Sequence, residues 1–497
     1  MQFPKNFQNT RIHCVGIKGT GMSSLVEVLA NRGAKITGSD VADVFYTDAI
    51  LQKHNIKPLL FSEKNIDEKI DFVIYSSAYN FETNPDLREA KQKNIPCILY
   101  TEALGELSKL SYSVGICGVH GKTTTTGMVG TILNEINLPS QTLAGSVITS
   151  FGNTSTLTTK SFNLENQKNY FVAETCEYQK HFMAFHPEKI ILTSVESDHQ
   201  DFYPTFESIQ NAFVDYLCSL PKNGEVIFCF NDFGARETVS IAKQKRSDLI
   251  FTSYGENENC DWKITFGKIE NEMQTFSLEN VREKICENFS LSVPGIHEVL
   301  DATAAIALCV SLLKTDGKNP HDYILQMQAA LKKFRGGARR SEIVGRAKFG
   351  KNDVLFIDDY AHHPTAIKTT LAGFREFYKG RKIIVDFMSH TYSRTASLLK
   401  EFAASFDSAD EIILHKIYSS ARENKNDFSV TGETLFLETK KNYEKVFYFE
   451  EIMDAKNFLI DELKKDLDEK FSGLLFVTMG AGDNWKLGKA ILDEAKV

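Results

Sequence analysis

The segment from Ser113 to Leu133, SVGICGVHGKTTTTGMVGTIL, contains the residues best suited to bind a phosphate chain. Apolar residues lead into a turn with Gly118 and Gly121, and Lys122 and Thr123 then open a helix-like stretch. Glycines let backbone N–H groups approach phosphate oxygens, a lysine balances the charge of the terminal phosphates, and a threonine hydroxyl can bind Mg²⁺. The order strand, glycine turn, helix therefore predicts a nucleoside triphosphate site.

The same loop departs at one position from the commonest phosphate-loop spacing. That pattern places a glycine five residues before Gly121, where this chain has Ile116. Gly-Lys-Thr directly after an apolar strand is still a much narrower match than a pair of glycines, so an ordinary glycine turn is the weaker interpretation. The loop is a variant of the form GxxGKTT.

Carboxylates and an imidazole follow two predicted strands of the same unit. The strand from Tyr170 to Ala173 continues into AETCEY, and the strand from Lys189 to Val195 continues into SVESDHQD. Oxygen ligands with an imidazole at strand ends beside a phosphate loop favour Mg²⁺-assisted phosphoryl transfer over a merely solvated loop. The candidate groups are Glu174, Glu177, Glu196, Asp198, His199 and Asp201.

The N-terminal segment predicts a second anion-binding turn. Strands are expected from Arg11 to Gly16 and from Ala34 to Thr37, with a helix from Met22 to Asn31 between them. The turn glycines follow a GxxGxG spacing, which is not the GxGxxG dinucleotide fingerprint, yet the helix N-terminus can still bind a diphosphate. Glycines that only pack the helix on the sheet explain this segment equally well. Asp40 follows the second strand, where a sugar hydroxyl is bound in such folds.

The C-terminal third alternates strands and helices, with polar residues after the strands. Alternation of this kind predicts a doubly wound, mostly parallel sheet with its ligand site at the strand ends. Predicted helices include 364–377, 396–406 and 452–467, and predicted strands include 382–387 and 411–417. The preceding segment FRGGARRSE suits a hinge or a solvated linker. Residues expected to line the crevice are His362, His363, His390, Arg394 and Asp483.

Composition limits the class of protein. The chain has 497 residues, a net charge of -8 and 42% hydrophobic residues, which indicates a soluble globular protein of about three domains without a broad nucleic-acid or membrane surface. We expect no apolar stretch of about 20 residues and no signal peptide, and hence a cytoplasmic protein. The nine cysteines are scattered singly, which favours buried reduced thiols.

The pattern as a whole predicts an α/β fold with three domains. They are a Rossmann-like N-terminal domain (1–111), a central P-loop domain with a mostly parallel sheet (112–333) and a doubly wound Rossmann-like C-terminal domain (334–497). Within the central domain, alternation over residues 249–293 predicts antiparallel strands, and a long helix is expected over 297–313.

Taken together, the motifs resemble those of the Mur ligase family. They are GIKGTGMS at Gly16, GVHGKTTT at Gly118, ESDHQD at Glu196, PGIHEVLDATAA at Pro294, RR at Arg339, DDYAHHPT at Asp358, SHTYSRT at Ser389 and MGAGDNW at Met479. The family's phosphate loop is GxxGKTT, which accounts for Ile116. The resemblance is strongest to members that use ATP and Mg²⁺ to join L-alanine to the lactyl carboxylate of UDP-N-acetylmuramate through an acyl phosphate, in peptidoglycan precursor synthesis.

The resemblance implies a role for each group of residues. UDP-sugar binding is implied for Lys18, Gly19, Thr20, Gly21, Met22, Ser23, Asp40 and Ser77. ATP binding is implied for Gly118, Val119, His120, Gly121, Lys122, Thr123, Thr124, Glu298, Asp301, Arg340 and Asp359. The implied metal ligands are Thr123, Glu174 and His199. The residues that face the reacting carboxylate and the amino acid are Tyr360, His362 and Arg394, and the implied catalytic groups are Lys122, His199, His362 and Arg394.

One departure from the family concerns the base of the nucleotide. The family pattern after Gly-x-His usually reads Asn-Val-x-Asn, whereas this chain has Glu298 and Asp301. A carboxylate can accept from the adenine 6-amino group but cannot donate to N7, so adenine recognition is expected to be shifted or loosened.

Three alternatives stay open at this point. A muropeptide-recycling ligase, which adds the tripeptide L-Ala-γ-D-Glu-diaminopimelate to UDP-N-acetylmuramate, resembles the chain in fold and in DDxAHHP, although SHTYSRT favours the L-alanine reaction. A nucleotide-sugar oxidoreductase is a weaker alternative, because the N-terminal glycines follow a GxxGxG spacing and the chain has a complete second phosphate loop. A noncatalytic ATP-gated binding protein is also weaker, because the chain carries the catalytic candidates Lys122, Glu174 and His199. His199 and His362 are both candidates for accepting the amine proton, and the protein is expected to be a monomer or a homodimer.

Overall fold

The computed structural model describes residues 3–43, 45, 47–164, 168–200, 202–419, 423 and 425–495. The described strands form three separate sheets of four, ten and six strands, which succeed one another along the chain. This arrangement confirms the predicted α/β class.

The N-terminal sheet is entirely parallel, with strand order β2-β1-β3-β4. It confirms the predicted strand-helix-strand opening, with each element shifted by one or two residues. The strands are β1 Arg11–Val15, β2 Lys35–Ser39, β3 Phe72–Tyr75 and β4 Cys97–Leu99. The helices are α1 Thr20–Asn31, α2 Asp48–Lys53, α3 Pro85–Gln92 and α4 Tyr100–Ser108.

The central sheet has the order β14-β13-β12-β11-β10-β9-β5-β8-β6-β7. Its strands are β5 Tyr112–Cys117, β6 Ser140–Ile148, β7 Thr154–Thr158, β8 Tyr170–Glu174, β9 Lys189–Leu192, β10 Glu225–Cys229, β11 Ile250–Gly255, β12 Trp262–Glu270, β13 Met273–Asn280 and β14 Ile285–Leu291. Its helices are α5 Lys122–Glu135, α6 Phe206–Cys218, α7 Phe233–Lys245, α8 Ile296–Thr315 and α9 Ile324–Lys333.

Two features of this sheet differ from expectation. The predicted antiparallel arrangement of 249–293 holds for β12, β13 and β14, but β11 pairs in parallel with both β10 and β12. Strands β6 and β7 were not predicted. In β6 the buried positions include the polar residues Gln141 and Thr142, so the strand lacks an apolar pattern.

Helix α8 is longer than expected and forms the centre of the core. Within the described part of the chain it alone has the length and apolar composition of a membrane-spanning helix, and 78% of its most apolar window is buried inside the protein. It packs on α5 and the sheet, as a core helix does. The expectation that no apolar stretch approaches about 20 residues was therefore too strict.

The C-terminal sheet has the order β15-β16-β20-β17-β18-β19 and is parallel except for the antiparallel edge strand β15. It confirms a doubly wound arrangement. Its strands are β15 Glu342–Phe349, β16 Asn352–Asp359, β17 Arg381–Phe387, β18 Glu411–Leu414, β19 Val446–Tyr448 and β20 Gly473–Met479. Its helices are α10 Pro364–Phe377, α11 Tyr392–Ser397, α12 Leu399–Ala403, α13 Gly432–Thr439, α14 Lys456–Lys464 and α15 Trp485–Glu494.

Several predicted elements are shorter in the structure. The helix expected over 396–406 is two short helices, because Leu398 leaves the helical conformation with φ -121° and ψ 28°. The helix expected over 452–467 starts as a 3-10 turn, and the strand expected over 411–417 ends at Leu414. The nine cysteines are free, but only Cys14, Cys117, Cys229 and Cys309 are buried, and Cys176 and Cys286 are exposed.

The segment 334–341 connects the central and C-terminal sheets without being a solvated linker. The backbone N–H of Ala338 donates to Val147 O at 2.8 Å, which ties the first part of the segment to β6. The Arg339 side chain donates to Asp358 Oδ2 at 2.8 Å and to two carbonyls of the loop after β20. The two halves of the segment therefore belong to different sheets.

Candidate nucleotide and ligation site

A cavity of about 300 Å³ opens between the carboxyl ends of the central strands and the C-terminal unit. Parallel α/β sheets bind ligands at this edge. Most of the predicted nucleotide residues line the cavity, namely Val119, His120, Gly121, Lys122, Thr123, Thr124, Glu298, Asp301, Arg340 and Asp359, together with Glu174 and His362. Gly118, His199, Tyr360 and Arg394 are not among the lining residues.

The phosphate loop has the backbone conformation that its glycines allow. Gly118 has φ +139° and Gly121 has φ +78°, both in the region that side chains disfavour. A Cβ on Gly121 would lie 2.5 Å from Asp301 Oδ1, so only glycine fits there. Ser194 anchors the loop, because its Oγ accepts from the His120 N–H at 2.8 Å. The N-terminus of α5 is thus presented to the cavity, as an anion site requires.

Lys122 is held by a buried carboxylate. Its Nζ donates to Glu177 Oε2 at 3.0 Å, and His199 Nε2 lies 3.5 Å from Glu177 Oε1. Burial by itself would lower the pKa of Lys122, but the charges of Glu177, Cys176 and Glu174 and the hydrogen bond to Glu177 together outweigh it and raise that pKa. Burial would raise the pKa of Glu177, and Lys122 with His199 lowers it instead. Both groups are charged at neutral pH, and Glu177 sets the position of the lysine.

Thr123 and Glu174 provide adjacent oxygen donors. Thr123 Oγ1 donates to Glu174 Oε2 at 2.8 Å, and the N–H of Gly145 donates to the same oxygen at 2.6 Å. A hydroxyl and a carboxylate beside a phosphate loop are the hard oxygen ligands that Mg²⁺ prefers. The predicted metal ligand His199 contacts Glu177 and has a left-handed backbone conformation with φ +52°. The candidate Asp201 lies outside the described residues.

Two buried carboxylates face the cavity at the start of α8. Burial, together with the neighbouring charges of Asp301 and Asp359, raises the pKa of Glu298 well above its ordinary value. Burial raises the pKa of Asp301 to about 7, against the lowering effects of Thr125 and Arg340. Each is therefore protonated over part of the physiological range. A protonated carboxyl can donate as well as accept, which restores part of what the asparagines of the family pattern supply.

The C-terminal unit contributes Arg340 and Asp359 to the opposite wall of the cavity. The Arg340 guanidinium lies 5.1 Å from the centre of the Tyr360 ring, a cation–π contact. Asp359 Oδ2 accepts from the Ser341 N–H at 2.7 Å and Oδ1 from the Ala361 N–H at 2.8 Å. Asp359 therefore first orders its own loop, and only its remaining lone pairs are left for a ligand.

The residues expected to face the reacting carboxylate come together beside this wall. The His362 and Tyr360 rings are 4.9 Å apart, and His362 Nδ1 is 2.9 Å from Tyr360 O, to which it donates. Burial and the positive charge of Arg394 lower the pKa of His362 well below its ordinary value, so the imidazole is neutral. Arg394 itself binds Asp198 of the central unit.

The sequence pattern pointed to three further residues without predicting which side chains they contact. Glu177 was one of several carboxylates in a cluster, and only the fold shows that it contacts Lys122. Glu196 was a candidate group for Mg²⁺-assisted phosphoryl transfer and His363 was expected to line the crevice, and both line the cavity. In the structure they meet His120 across the cavity, because the ends of β5, β9 and β16 converge there.

The N-terminal turn is arranged around Asp40. Asp40 Oδ2 accepts from the Lys18 N–H at 2.7 Å, and Oδ1 accepts from the Tyr79 hydroxyl at 3.1 Å. The ammonium of Lys18 donates to the carbonyl of Asp43 at 2.7 Å, so it stabilises the loop after β2.

Not every residue predicted for the UDP-sugar lies on the surface of this turn. Ser23 is buried and its hydroxyl donates to Thr20 O at 2.9 Å, and Met22 is also buried. Met22 belongs to the hydrophobic core of the N-terminal unit, and the Ser23 hydroxyl is used within its own helix. Gly19 and Gly21 stand at the helix start, and Ser77 is exposed near the end of β3.

Comparisons with known proteins agree with this arrangement. Models of three Mur ligase domains match consecutive parts of the chain: the Mur ligase family catalytic domain at residues 11–112, the Mur ligase middle domain at 116–309 and the Mur ligase glutamate ligase domain at 339–482. A UDP-N-acetylmuramate–L-alanine ligase of Treponema pallidum is 46% identical over 495 residues, which is 99% of this chain and 98% of that protein.

Solved structures show the same fold at lower sequence identity. A UDP-N-acetylmuramate–alanine ligase from Thermotoga maritima superposes with a TM-score of 0.74 at 22% identity, covering 98% of this chain and 99% of that one. A murein peptide ligase from Psychrobacter arcticus gives a TM-score of 0.66 at 22% identity, with 98% of each chain covered. Because three consecutive domain models and a relative of nearly full length match it, this chain belongs to the Mur ligase family.

Proposed function

We propose that the protein joins the amine of L-alanine to the lactyl carboxylate of UDP-N-acetylmuramate, with ATP as the energy source and an acyl phosphate as the intermediate. The observation that carries the proposal is the cavity itself, where the phosphate loop with Lys122 faces Arg340 and His362 of the C-terminal unit. The 46% identity to a relative named for the L-alanine reaction supports the choice of substrate. The reaction supplies a precursor of peptidoglycan.

Each sheet then contributes one ligand site. We assign the UDP-sugar to the unit of residues 1–111, ATP to 112–333, and the amino acid, with part of the nucleotide, to 334–497. In the N-terminal unit the turn of Gly19 and Gly21 would bind the diphosphate, with Asp40 supporting the loop. The ligand-binding ends of the central and C-terminal sheets face one another, so the substrates can meet between them.

In the first step a lactyl carboxylate oxygen attacks the γ-phosphorus of ATP, and the bond to ADP breaks. Two polyanions meet in this step, so positive charge must be held in place before the reaction. The buried Lys122 ammonium, positioned by Glu177, provides that charge on the phosphate side. Arg340 provides it on the opposite wall.

In the second step the amine nitrogen of L-alanine attacks the acyl carbon and inorganic phosphate leaves. The amine must lose a proton, which His362 or His199 can accept. His362 is neutral because of its lowered pKa and so can accept a proton, but the same lowered pKa makes it a weak base. The contact of Arg394 with Asp198 holds the C-terminal unit against the central one, which excludes water that would hydrolyse the acyl phosphate.

The donor set beside the phosphate loop fits Mg²⁺. The Thr123 hydroxyl and the Glu174 carboxylate would hold one ion, and His199 is the candidate ligand of a second. When bound, Mg²⁺ neutralises part of the charge of the ATP phosphates. We further place the reaction in the cytoplasm, where its nucleotide substrates are made, and expect a monomer or a homodimer.

Phosphate release tests the proposal directly. The protein is incubated with ATP, Mg²⁺ and UDP-N-acetylmuramate, and L-alanine or the tripeptide L-Ala-γ-D-Glu-diaminopimelate is added in separate reactions. We expect release of phosphate with L-alanine, together with an amide product whose mass matches the alanyl conjugate. Turnover with the tripeptide alone would identify a recycling ligase instead. No turnover with either amine would overturn the proposed reaction.

A further inference from the structure

Two histidines and a glutamate form a second cluster of potential metal ligands inside the cavity. His120 Nε2 lies 3.2 Å from Glu196 Oε2, and His363 Nδ1 lies 3.6 Å from the same oxygen. One ligand atom from each residue lies within 4.8 Å of the other two. None of these side chains has a part in the proposed reaction, for which His120 contributes through the backbone of the phosphate loop.

His363 gives an independent indication that a ligand belongs here. Its side chain is 92% buried, since only 8% of its surface is exposed. Neither ring nitrogen has a hydrogen-bond partner among the described residues. An unpartnered polar group in the interior costs about 1–3 kcal/mol, and native proteins rarely leave one without a purpose. The ring centre lies 5.1 Å from that of His120, and the distance of 3.6 Å from Nδ1 to Glu196 Oε2 shows that the polar edge is directed to the cluster.

The ligand types select a class of cation. Two imidazoles and one carboxylate are the ligands of several zinc sites that keep a fourth position open. Metal–ligand bonds of about 2.1 Å in tetrahedral geometry require ligand atoms about 3.4 Å apart, and the separations of 3.2 and 3.6 Å to Glu196 already match this. Imidazole suits Zn²⁺ and other late first-row ions and does not suit Mg²⁺, which prefers oxygen.

We propose that His120, Glu196 and His363 bind Zn²⁺, or a similar late first-row divalent cation, at a site separate from the Mg²⁺ ligands Thr123 and Glu174. An ion bound there would connect the phosphate loop and the end of β9 to the start of α10. It would also lie at the wall of the nucleotide cavity, between the central and C-terminal sheets. The inference does not depend on the proposed ligase reaction, because binding of the metal alone is what is measured.

Titration calorimetry of the full-length protein tests the site. The protein is freed of metal and titrated with Zn²⁺ in the absence of nucleotide, with and without an excess of Mg²⁺. We expect one ion per chain and an affinity that Mg²⁺ leaves unchanged. His363→Gln and Glu196→Gln should each weaken binding at least tenfold, since losing even an outer partner of a metal ligand costs 10–100-fold. The matched variant His186→Gln, at an exposed histidine, should bind as the unmodified protein does.

The competing ligand to exclude is the exposed thiol of Cys176, which lies between Glu174 and Glu177 in the chain. Cys176→Ser should bind Zn²⁺ normally. Co²⁺ substituted into the unmodified protein should give the visible bands of a tetrahedral site without a thiolate charge-transfer band, and this readout needs no variant to fold. Absence of Zn²⁺ binding, normal binding by both ligand variants, or a thiolate band would overturn the proposal.

Discussion

Arg394 and Asp198 form an ion pair that joins the C-terminal unit to the central one. Both Nη2 and Nε of Arg394 donate to Asp198 Oδ1, at 2.7 and 3.1 Å. Both side chains are more than nine-tenths buried. Burial would raise the pKa of Asp198, but Arg394 and the nearby histidines hold it well below its usual range.

Removing one partner of this pair should destabilise the protein strongly. Arg394→Leu leaves the Asp198 charge buried and unpaired, which costs about 3–5 kcal/mol in the free energy of unfolding. The double variant Arg394→Leu/Asp198→Asn should recover most of that loss, yet phosphate release with L-alanine should stay reduced at least 100-fold, because the guanidinium is absent. Urea unfolding and the phosphate assay separate the two effects. A double variant with normal turnover would show that Arg394 is only structural.

Lys122→Met should abolish turnover. The ammonium balances the charge of the phosphates, so we expect phosphate release to fall at least 100-fold. The variant also leaves Glu177 uncompensated, so its stability must be checked. Lys122→Met/Glu177→Gln, which removes both charges, should be more stable than the single variant and equally inactive. If the double variant regained turnover, the lysine would not be needed for the chemistry.

Glu174→Gln should weaken the response to Mg²⁺. Replacing the carboxylate by an amide removes the negative charge that a hard cation requires, while Gly145 N–H and Thr123 keep an oxygen acceptor. We expect the Mg²⁺ concentration for half-maximal phosphate release to rise at least tenfold. Glu188→Gln, at an exposed glutamate of the same unit, is the matched control. An unchanged Mg²⁺ dependence in Glu174→Gln would rule out this carboxylate as a ligand.

The buried Asp301 should make stability depend on pH. Its pKa rises from 3.8 in an exposed carboxyl to about 7 in the folded chain, so the folded state binds the proton more tightly than the unfolded state. Stability from this group is complete at low pH and is lost as pH rises from about 4 to about 7. Asp301→Asn removes that loss.

The measurement is urea unfolding at pH 5 and at pH 8. From pH 5 to pH 8, the free energy of unfolding of Asp301→Asn should rise by about 2–4 kcal/mol relative to that of the unmodified protein. Asp322→Asn, at an exposed aspartate, should show the same pH difference as the unmodified protein. A pH difference in Asp301→Asn equal to that of the unmodified protein would mean that Asp301 titrates normally.

The elements with a distinctive local sequence pattern were predicted from the sequence. Helix α10 has the predicted bounds, because Pro364 fixes its first turn and apolar residues recur at helical spacing to Phe377. The phosphate loop was likewise evident from Gly121 and Lys122.

Contacts between distant segments could not be predicted in the same way. The pairing of Glu177 with Lys122 depends on β8 lying beside β5, and the burial of Ser23 depends on which face of α1 meets the sheet. Strand β6 had no apolar pattern, because it packs polar groups against α1, where Gln141 accepts from Arg32. The candidate site was therefore predicted in its residue types more completely than in its pairings.

The connection at Ala338 and Arg339 determines how the C-terminal sheet can move. Ala338 is hydrogen-bonded to the central sheet, whereas the Arg339 carbonyl accepts from the Tyr360 N–H at 2.7 Å. Along the backbone, the attachment therefore changes from the central sheet to the C-terminal sheet between these two residues. Once the Arg394–Asp198 pair is broken, a change in the backbone torsions there would move Arg340 and Tyr360 together relative to the central sheet and so change the width of the nucleotide cavity.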